Sequence, residues 1–389
     1  MDKGTPVALA PCGSYDDAEV EAALRGLLAE IGGLDFVRPG LRVAIKVNLV
    51  TAMKPDTAAT VHPAVVCALT RILRERGAQV VIGDSPGGVY TAAYLRRVYD
   101  VCGMRRAVEF GAKLNDDFSV EEAENPEAAV AKRFPATAYL GKADAIIDLC
   151  KLKTHGMMGL SCAVKNLFGA IPGTVKPEFH YKYPKAEDFA NMLVDVYEHF
   201  RPVLCLCDAV VGMEGNGPTQ GTPRKIGCLM ASKSGHALDA VAASLIGLAP
   251  REIPTLRAAI TRGLAPESAA EIPVLGDPAP FRQEGFKTVP AQSSVFFMVF
   301  GDGFLGKAAD FVVSRLLTPF PKLDPPVCVG CKKCESICPA KAITMVNGKP
   351  RIRRKACIHC FCCQEFCPKG AMKVSRTWVA RIACRKAGK

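Results

Sequence analysis

Several features that would assign a 389-residue chain quickly are missing here. No uninterrupted apolar run reaches 18 residues, the length that a membrane-spanning helix needs. The opening "MDKGTPVALAPCGSYDD" has no basic stretch followed by an apolar one, so a secretion signal is not expected either. Both absences lead to the expectation of a cytoplasmic, soluble protein without a transmembrane segment. There is no G-x-G-x-x-G after the first apolar run, no G-x4-G-K-[ST] and no G-x-S-x-G. Dinucleotide, phosphate-loop and serine-hydrolase readings therefore lack their fingerprints, and no flavin signature is present. Disorder is excluded by a composition 49% hydrophobic and 23% charged.

Cysteine, by contrast, is abundant: 18 residues in a chain expected to stay in a reducing compartment, where thiols serve as metal ligands or buried side chains rather than disulfides. Ten of them fall in the last 62 residues, and eight are scattered over the first 327. Charge divides at the same place. From residue 328 onward 15 Lys and Arg face only Glu335 and Glu365, whereas the preceding 327 residues balance 35 bases against 36 acids. A basic patch such as "RIRRK" (351–355) resembles a nucleic-acid contact, but thiolate-held clusters carry negative charge that bases offset. The expectation is no nucleic acid, and an acidic redox protein as partner.

Residues 328–339 read C-V-G-C-K-K-C-E-S-I-C-P and residues 357–368 read C-I-H-C-F-C-C-Q-E-F-C-P. Both fit C-x2-C-x2-C-x3-C-P, in which three closely spaced thiolates hold one [4Fe–4S] cluster and the fourth crosses to the other. Cluster one is then expected on Cys328, Cys331, Cys334 and Cys367, and cluster two on Cys357, Cys360, Cys363 and Cys338. Cys362 is left over. Zinc, which takes two C-x2-C pairs per site, does not account for three evenly spaced cysteines and a C-P twice. The module resembles the two-cluster bacterial ferredoxin domain, and "AITMVNGKPRI" between the runs carries a hairpin signal at Asn347-Gly348.

The first 250 residues alternate apolar runs ("VALAP", "RVAIKVNLV", "QVVIGDSP", "ADAIIDLC", "VLCLCDAVVG") with helical-period segments at 16–31, 62–76, 90–100, 187–200 and 236–247. That pattern predicts an α/β layered domain with a mostly parallel sheet over residues 1–317. "REIPTLRAAITRGL" and 306–317 read as helices and "SSVFFMVFG" as a strand. A Pro-rich linker follows at 318–326, then a small α+β ferredoxin-like domain at 327–376 and a basic tail at 377–389 that contains the single Trp, Trp378.

Polar residues gather where the predicted strands end: Lys46 and Asn48, Asp84 in "GDSPGG", Lys153 and His155 in "KLKTHGMMG", Lys165 and Asn166 in "AVKNLFGAIPG", and Asp208 and Glu214 in "DAVVGMEGNGP". In open α/β sheets ligands bind beyond the carboxyl ends of the strands, so these positions can share one crevice. The excess of Lys, Asn and His suits an anionic small molecule. Lys153, His155, Lys165 and Asp208 are the candidate catalytic groups, and Lys46, Asn48, Asp84, Asn166 and Glu214 the candidate substrate ligands.

In this order "KVNLV", Thr60-Val61-His62-Pro63, "GDSPGG", "DLCKLKTH", "AVKNLFGAIPG" and "DAVVGMEGNGPTQG" resemble the bacterial and archaeal family catalogued as domain of unknown function 362, often joined to a ferredoxin module. The resemblance implies the two-domain layout, the iron–sulfur assignment and these motif residues as site candidates. It supplies no substrate. The expected function is iron–sulfur electron transfer, as a ferredoxin-linked oxidoreductase acting at the α/β domain. A metabolite-binding protein with structural or sensory clusters, or a plain electron carrier, are the alternatives.

Overall fold

The computed structural model describes residues 4–289, 319–375 and 377. The expected strand "SSVFFMVFG", the helix at 306–317, the boundary at residue 317 and the Trp378 segment lie outside the described residues.

In chain order the first half comprises β1 (Val7–Pro11), α1 (Asp17–Glu30), β2 (Arg42–Lys46), α2 (Pro63–Glu75), β3 (Gln79–Gly83), α3 (Ala92–Val101), β4 (Lys113–Leu114), β5 (Val120–Glu124), β6 (Arg133–Thr137), α4 (Ala138–Gly141) and β7 (Ala145–His155). Then come β8 (Gly159–Ser161), α5 (Ala163–Asn166), α6 (Lys176–Lys182), α7 (Ala186–Phe200), β9 (Leu204–Glu214), β10 (Thr222–Ser232), α8 (Gly235–Leu245), α9 (Pro254–Thr261) and β11 (Val274–Leu275). Local chemistry sets the starts. Asp16 caps α1 by accepting from the N–H groups of Ala18 and Glu19, and Pro63 occupies the first position of α2, where its missing donor costs nothing.

One mixed sheet runs in the order β11, β1, β10, β9, β7, β2, β3, β4, with β8 folded back on β7. It is mostly parallel, as expected for buried apolar runs: β7 is buried along its whole length. Two apolar layers cover the faces, one built with α1, α2 and α3 and the other with α5, α7, α8 and α9. The antiparallel strand β10, paired with both β9 and β1, was not anticipated from sequence.

From β2 the chain continues to β3 on one side, while β7 lies on the other. The order therefore reverses at β2, and the crevice beyond the ends of β2, β3 and β7 is the switch point at which such sheets bind ligands.

The second domain holds β12 (Phe320–Leu323), β13 (Ile343–Val346), β14 (Lys349–Ile352) and β15 (Met372–Ser375), with one-turn helices at Lys333–Ser336 and Cys362–Glu365. Strands β13 and β14 form the anticipated hairpin, with Asn347 and Gly348 both at positive φ (50° and 72°), as a type I′ turn requires. The segment expected as a Pro-rich linker is more than a spacer. Its residues Phe320–Leu323 pair antiparallel with β15, an edge position at which Pro321 is tolerated. Among the described residues no helix is long and apolar enough to cross a membrane.

Candidate functional site

The cysteine runs fold as two copies of one loop. Gly330 and Lys332 in the first (φ 71° and 63°) correspond to His359 and Phe361 in the second (φ 57° and 61°), so each chain curls left-handed between its first three cysteines. The curl turns the side chains inward. One cavity is lined by Cys328, Cys331, Cys334 and Cys367, and another by Cys338, Cys357, Cys360 and Cys363. The first cavity holds four thiols and the second five, Cys362 among them, a donor chemistry that suits [4Fe–4S] ligation. Leu323, Ile343, Ile352 and Met372 pack around them.

The α/β domain meets this module along a short seam. Gln220 Nε2 donates to the Gln364 carbonyl (2.5 Å), Gln364 Nε2 to the Asn216 carbonyl (3.2 Å) and Thr219 Oγ1 to the Glu365 carbonyl (3.3 Å). The phenyl ring of Phe366 lies against Gly87 so closely that any side chain at 87 would collide with it. Thus the "GDSPGG" glycine makes room for the ferredoxin module.

Between the domains lies a cleft of about 740 Å³, counted out to its open mouth. Its walls are the segment after β2 (Asn48, Val50, Thr51), the segment after β3 (Asp84 to Gly87), Lys153 and His155 of β7, Lys165 and Asn166 of α5, Lys176 and His180 of α6, and Cys362, Glu365 and Phe366 of the ferredoxin module. Cys362 also lines the cavity of Cys338, Cys357, Cys360 and Cys363, and among the described residues it alone is common to both spaces.

Six of the nine residues singled out from sequence line this cleft (Asn48, Asp84, Lys153, His155, Lys165 and Asn166), and Lys153, Asn48 and Asn166 form a hydrogen-bonded chain along it. Lys153 Nζ donates to Asn48 Oδ1 (2.7 Å) and the Ala59 carbonyl (2.5 Å), and Asn48 Nδ2 donates to Asn166 Oδ1 (2.9 Å). Asn166 Nδ2 donates to Asp148 Oδ1 (2.5 Å). Lys46 lies just behind the wall, fully buried, with its ammonium 2.8 Å from Asp84 Oδ1; Asp84 Oδ2 accepts from the Leu49 N–H at 2.8 Å. Gly169 sits over this ion pair with no room for a side chain. Lys46 and Asp84 therefore brace the wall rather than reach for a ligand.

Asp208 and Glu214 stand apart from the cleft. Asp208 takes hydrogen bonds from Lys151 Nζ (2.8 Å), Tyr15 Oη (2.8 Å) and the His62 N–H (2.9 Å), with the Tyr15 and His62 rings stacked at 3.7 Å. Glu214 pairs with Arg224 at 3.3 Å and Lys287 at 3.5 Å. Strand ends carry side chains to both faces of a sheet, and periodicity alone did not say which face each would take.

Burial sets the charge states. The N–H groups of Met157 and Met158 donate to His155 Nδ1, which places the ring proton on Nε2, and Nε2 lies 2.9 Å from Glu365 Oε1. Desolvation pushes His155 down to about 4 and His180 down to about 3, which keeps both neutral. Burial alone would raise Glu365, but His155, Lys165 and His180 outweigh it and hold the carboxylate down to about 2. Lys153 and Lys165 are pushed down by desolvation, and Lys176 falls to about 7 from the same cause. Lys165 has no ion-pair partner among the described residues; its Nζ rests 5.5 Å from the Phe168 ring centroid. His180 Nδ1 is likewise without a hydrogen-bond partner, and its ring stacks on Phe189 at 4.3 Å.

Residues 43–244 match the family described as domain of unknown function (DUF362), and residues 320–368 match the 4Fe-4S dicluster domain. A thylakoid-associated protein of Synechocystis is 35% identical over 275 residues, which cover 68% of this chain and 81% of that one. The chain belongs to the DUF362 family. Two solved structures are more distant: the lactate racemase apoprotein of Thermoanaerobacterium thermosaccharolyticum and a Thermotoga maritima protein. The first has TM-score 0.40 and 10% identity, covering 64% of this chain and 59% of that one. The second has TM-score 0.34 and 14% identity, covering 58% and 57%. The chain thus spans less than two thirds of either solved protein.

For this DUF362 chain the sequence reading missed Lys176 and His180. Both lie on α6, where "KPEFHYK" offers three bases and two aromatics in seven residues, the only local signal available. It also missed Asp148, which is fully buried, pushed up by desolvation and left with Oδ2 unbonded among the described residues. Three scattered cysteines, Cys150, Cys162 and Cys207, converge beneath the α5 wall of the cleft.

Proposed function

We propose that this protein is a ferredoxin-linked oxidoreductase whose α/β domain binds a small anionic molecule in the cleft, next to the second of two [4Fe–4S] sites. The observation that carries the reading is Cys362, the single side chain among the described residues lining both the cleft and the cavity of Cys338, Cys357, Cys360 and Cys363. Two clusters, when bound, supply single electrons over a wide range of potential.

The chain's own residues supply the rest. Lys165 offers an uncommitted ammonium at the wall and His180 a free ring nitrogen, so an anion gains a charge-assisted partner without breaking an existing pair. Lys176, with its pKa near 7, can give or take a proton at working pH, which two-electron reductions and oxidations require. Lys153 is held by Asn48 and Ala59 and orients the wall. A plain carrier would have no use for these groups. The basic charge of the ferredoxin segment suits an acidic redox protein, and the many thiols suit a cytoplasmic location.

The test is anaerobic purification followed by mass spectrometry of the small molecules released on denaturation. Wild type should release an anionic compound at a fixed ratio to protein, and Lys165→Ala with unchanged iron should release at least tenfold less. Equal release from both, or none from wild type, would overturn the reading.

A further inference from the structure

The three cysteines beneath the cleft come from separate segments: Cys150 from the middle of β7, Cys162 from the residue before α5, and Cys207 from β9. Their side chains nevertheless meet. Cys150 Sγ is 3.4 Å from Cys162 Sγ, which is 3.6 Å from Cys207 Sγ, and all three sulfurs lie within 4.8 Å of one another. Among the described residues this is the only trio of His, Cys, Asp or Glu donor atoms so close.

The spacing is informative. Two sulfurs bound about 2.3 Å from one tetrahedral ion stand roughly 3.8 Å apart, a few tenths of an ångström from the Cys150–Cys162 and Cys162–Cys207 separations. One ion seated near the centre of the sulfur triangle would bond to all three. Each thiol is 2% exposed or less. Buried free cysteines are common core residues, yet they are normally packed against carbon, not against two further thiols.

We propose that Cys150, Cys162 and Cys207 bind one divalent thiophilic cation of the zinc class, at a site separate from both cysteine cavities of the ferredoxin module. Charge selects the divalent ion. Three thiolates around a doubly charged ion leave one negative charge in the core and around a singly charged ion two, and each uncompensated buried charge is costly. Binding forms three metal–sulfur bonds and releases the thiol protons to solvent, with no change of oxidation state. The Asp239 carboxylate accepts from the N–H groups of Ala163 (2.6 Å) and Val164 (3.2 Å), fixing the backbone just beyond Cys162.

Such an ion would tie β7, which carries Lys153 and His155, to α5, which carries Lys165 and Asn166. It would therefore set the wall of the cleft from behind. With the thiols this deep, the ion enters as the chain folds.

The test uses the full chain expressed with added Zn2+, loaded with iron–sulfur clusters, passed over a chelating resin and assayed for zinc per chain. Any binding at the ferredoxin cysteines is common to all variants and cancels. Wild type and Cys205→Ala, which removes a neighbouring buried thiol outside the trio, should retain about one zinc more than Cys162→Ala or Cys207→Ala. Should the trio variants fail to fold, 113Cd NMR of the cluster-loaded wild type decides: one resonance in the sulfur-rich region is expected. Equal zinc in all folded variants, or no sulfur-ligated cadmium in wild type, would overturn the site.

Discussion

His155 Nε2 lies 2.9 Å from Glu365 Oε1, so the end of strand β7 is fastened to the one-turn helix that carries Cys363. The contact is buried on the histidine side and nearly so on the carboxylate side, and its direction is fixed by the two backbone N–H groups on Nδ1. A domain seam held this way behaves as one element with the cleft it closes.

Removing either partner should open the seam. Glu365→Ala leaves the buried, neutral imidazole N–H of His155 without its neighbouring carboxylate, at a cost of about 1–3 kcal/mol if the site stays dry. Hydrogen exchange at residues 362–366 and 216–220 should quicken at least tenfold while exchange in α2 stays unchanged. Uniform protection in the variant would show that Glu365 is dispensable for docking.

The Gly87–Phe366 packing predicts a compensating pair. Gly87→Ala should loosen the same seam because its methyl meets the phenyl ring, and adding Phe366→Leu should restore much of the protection. Additive damage in the double variant would contradict the packing.

Iron content tests the crosswise ligand sets. Cys331→Ser and Cys360→Ser should each lose about half the iron, since each removes one ligand from a different cavity. Cys362→Ala should keep all of it. Loss of iron from Cys362→Ala would make that residue a ligand and shift the assignment of the second run.

Acid should destabilise the fold through its buried histidines. His155 and His180 titrate in the folded protein near 4 and 3, below an unfolded value of about 6.5. Between these limits the unfolded chain binds more protons, so their contribution is present above pH 6.5 and is lost as pH falls toward 3. Against wild type, His180→Phe should show a shallower fall of melting temperature from pH 7 to pH 4. Parallel curves would mean that His180 takes up its proton while the protein is folded.

Much of this was legible in the chain. The ligand spacing in 328–339 and 357–368 named eight cysteines that line two cavities, with Cys362 joining the second, because short-range spacing constrains a curled loop directly. Helix and strand runs up to β9 fell near their true places for the same local reason. What failed to show was long-range. Lys151, a neighbour of Lys153 on the same strand, draws Asp208 into a pair with Tyr15 and His62, and no local pattern around Asp208 records a partner 57 residues away. Strand β10 starts with exposed polar residues and inserts antiparallel, so its apolar run is short. Cys150, Cys162 and Cys207 looked isolated because their meeting depends on the pairing of β7 with β9.

Cys362, the cysteine of "CIHCFCCQEFC" left without a cluster, gains its meaning from where it stands. A protein that must keep a reactive metal centre from open solvent, yet within reach of a bound molecule, has to make the barrier between them thin on one side only. Here Cys362 stands on that side. Cys362 lines both the cleft and the cavity of Cys338, Cys357, Cys360 and Cys363, so a bulkier residue at 362 would fill space between them and a smaller one would enlarge it.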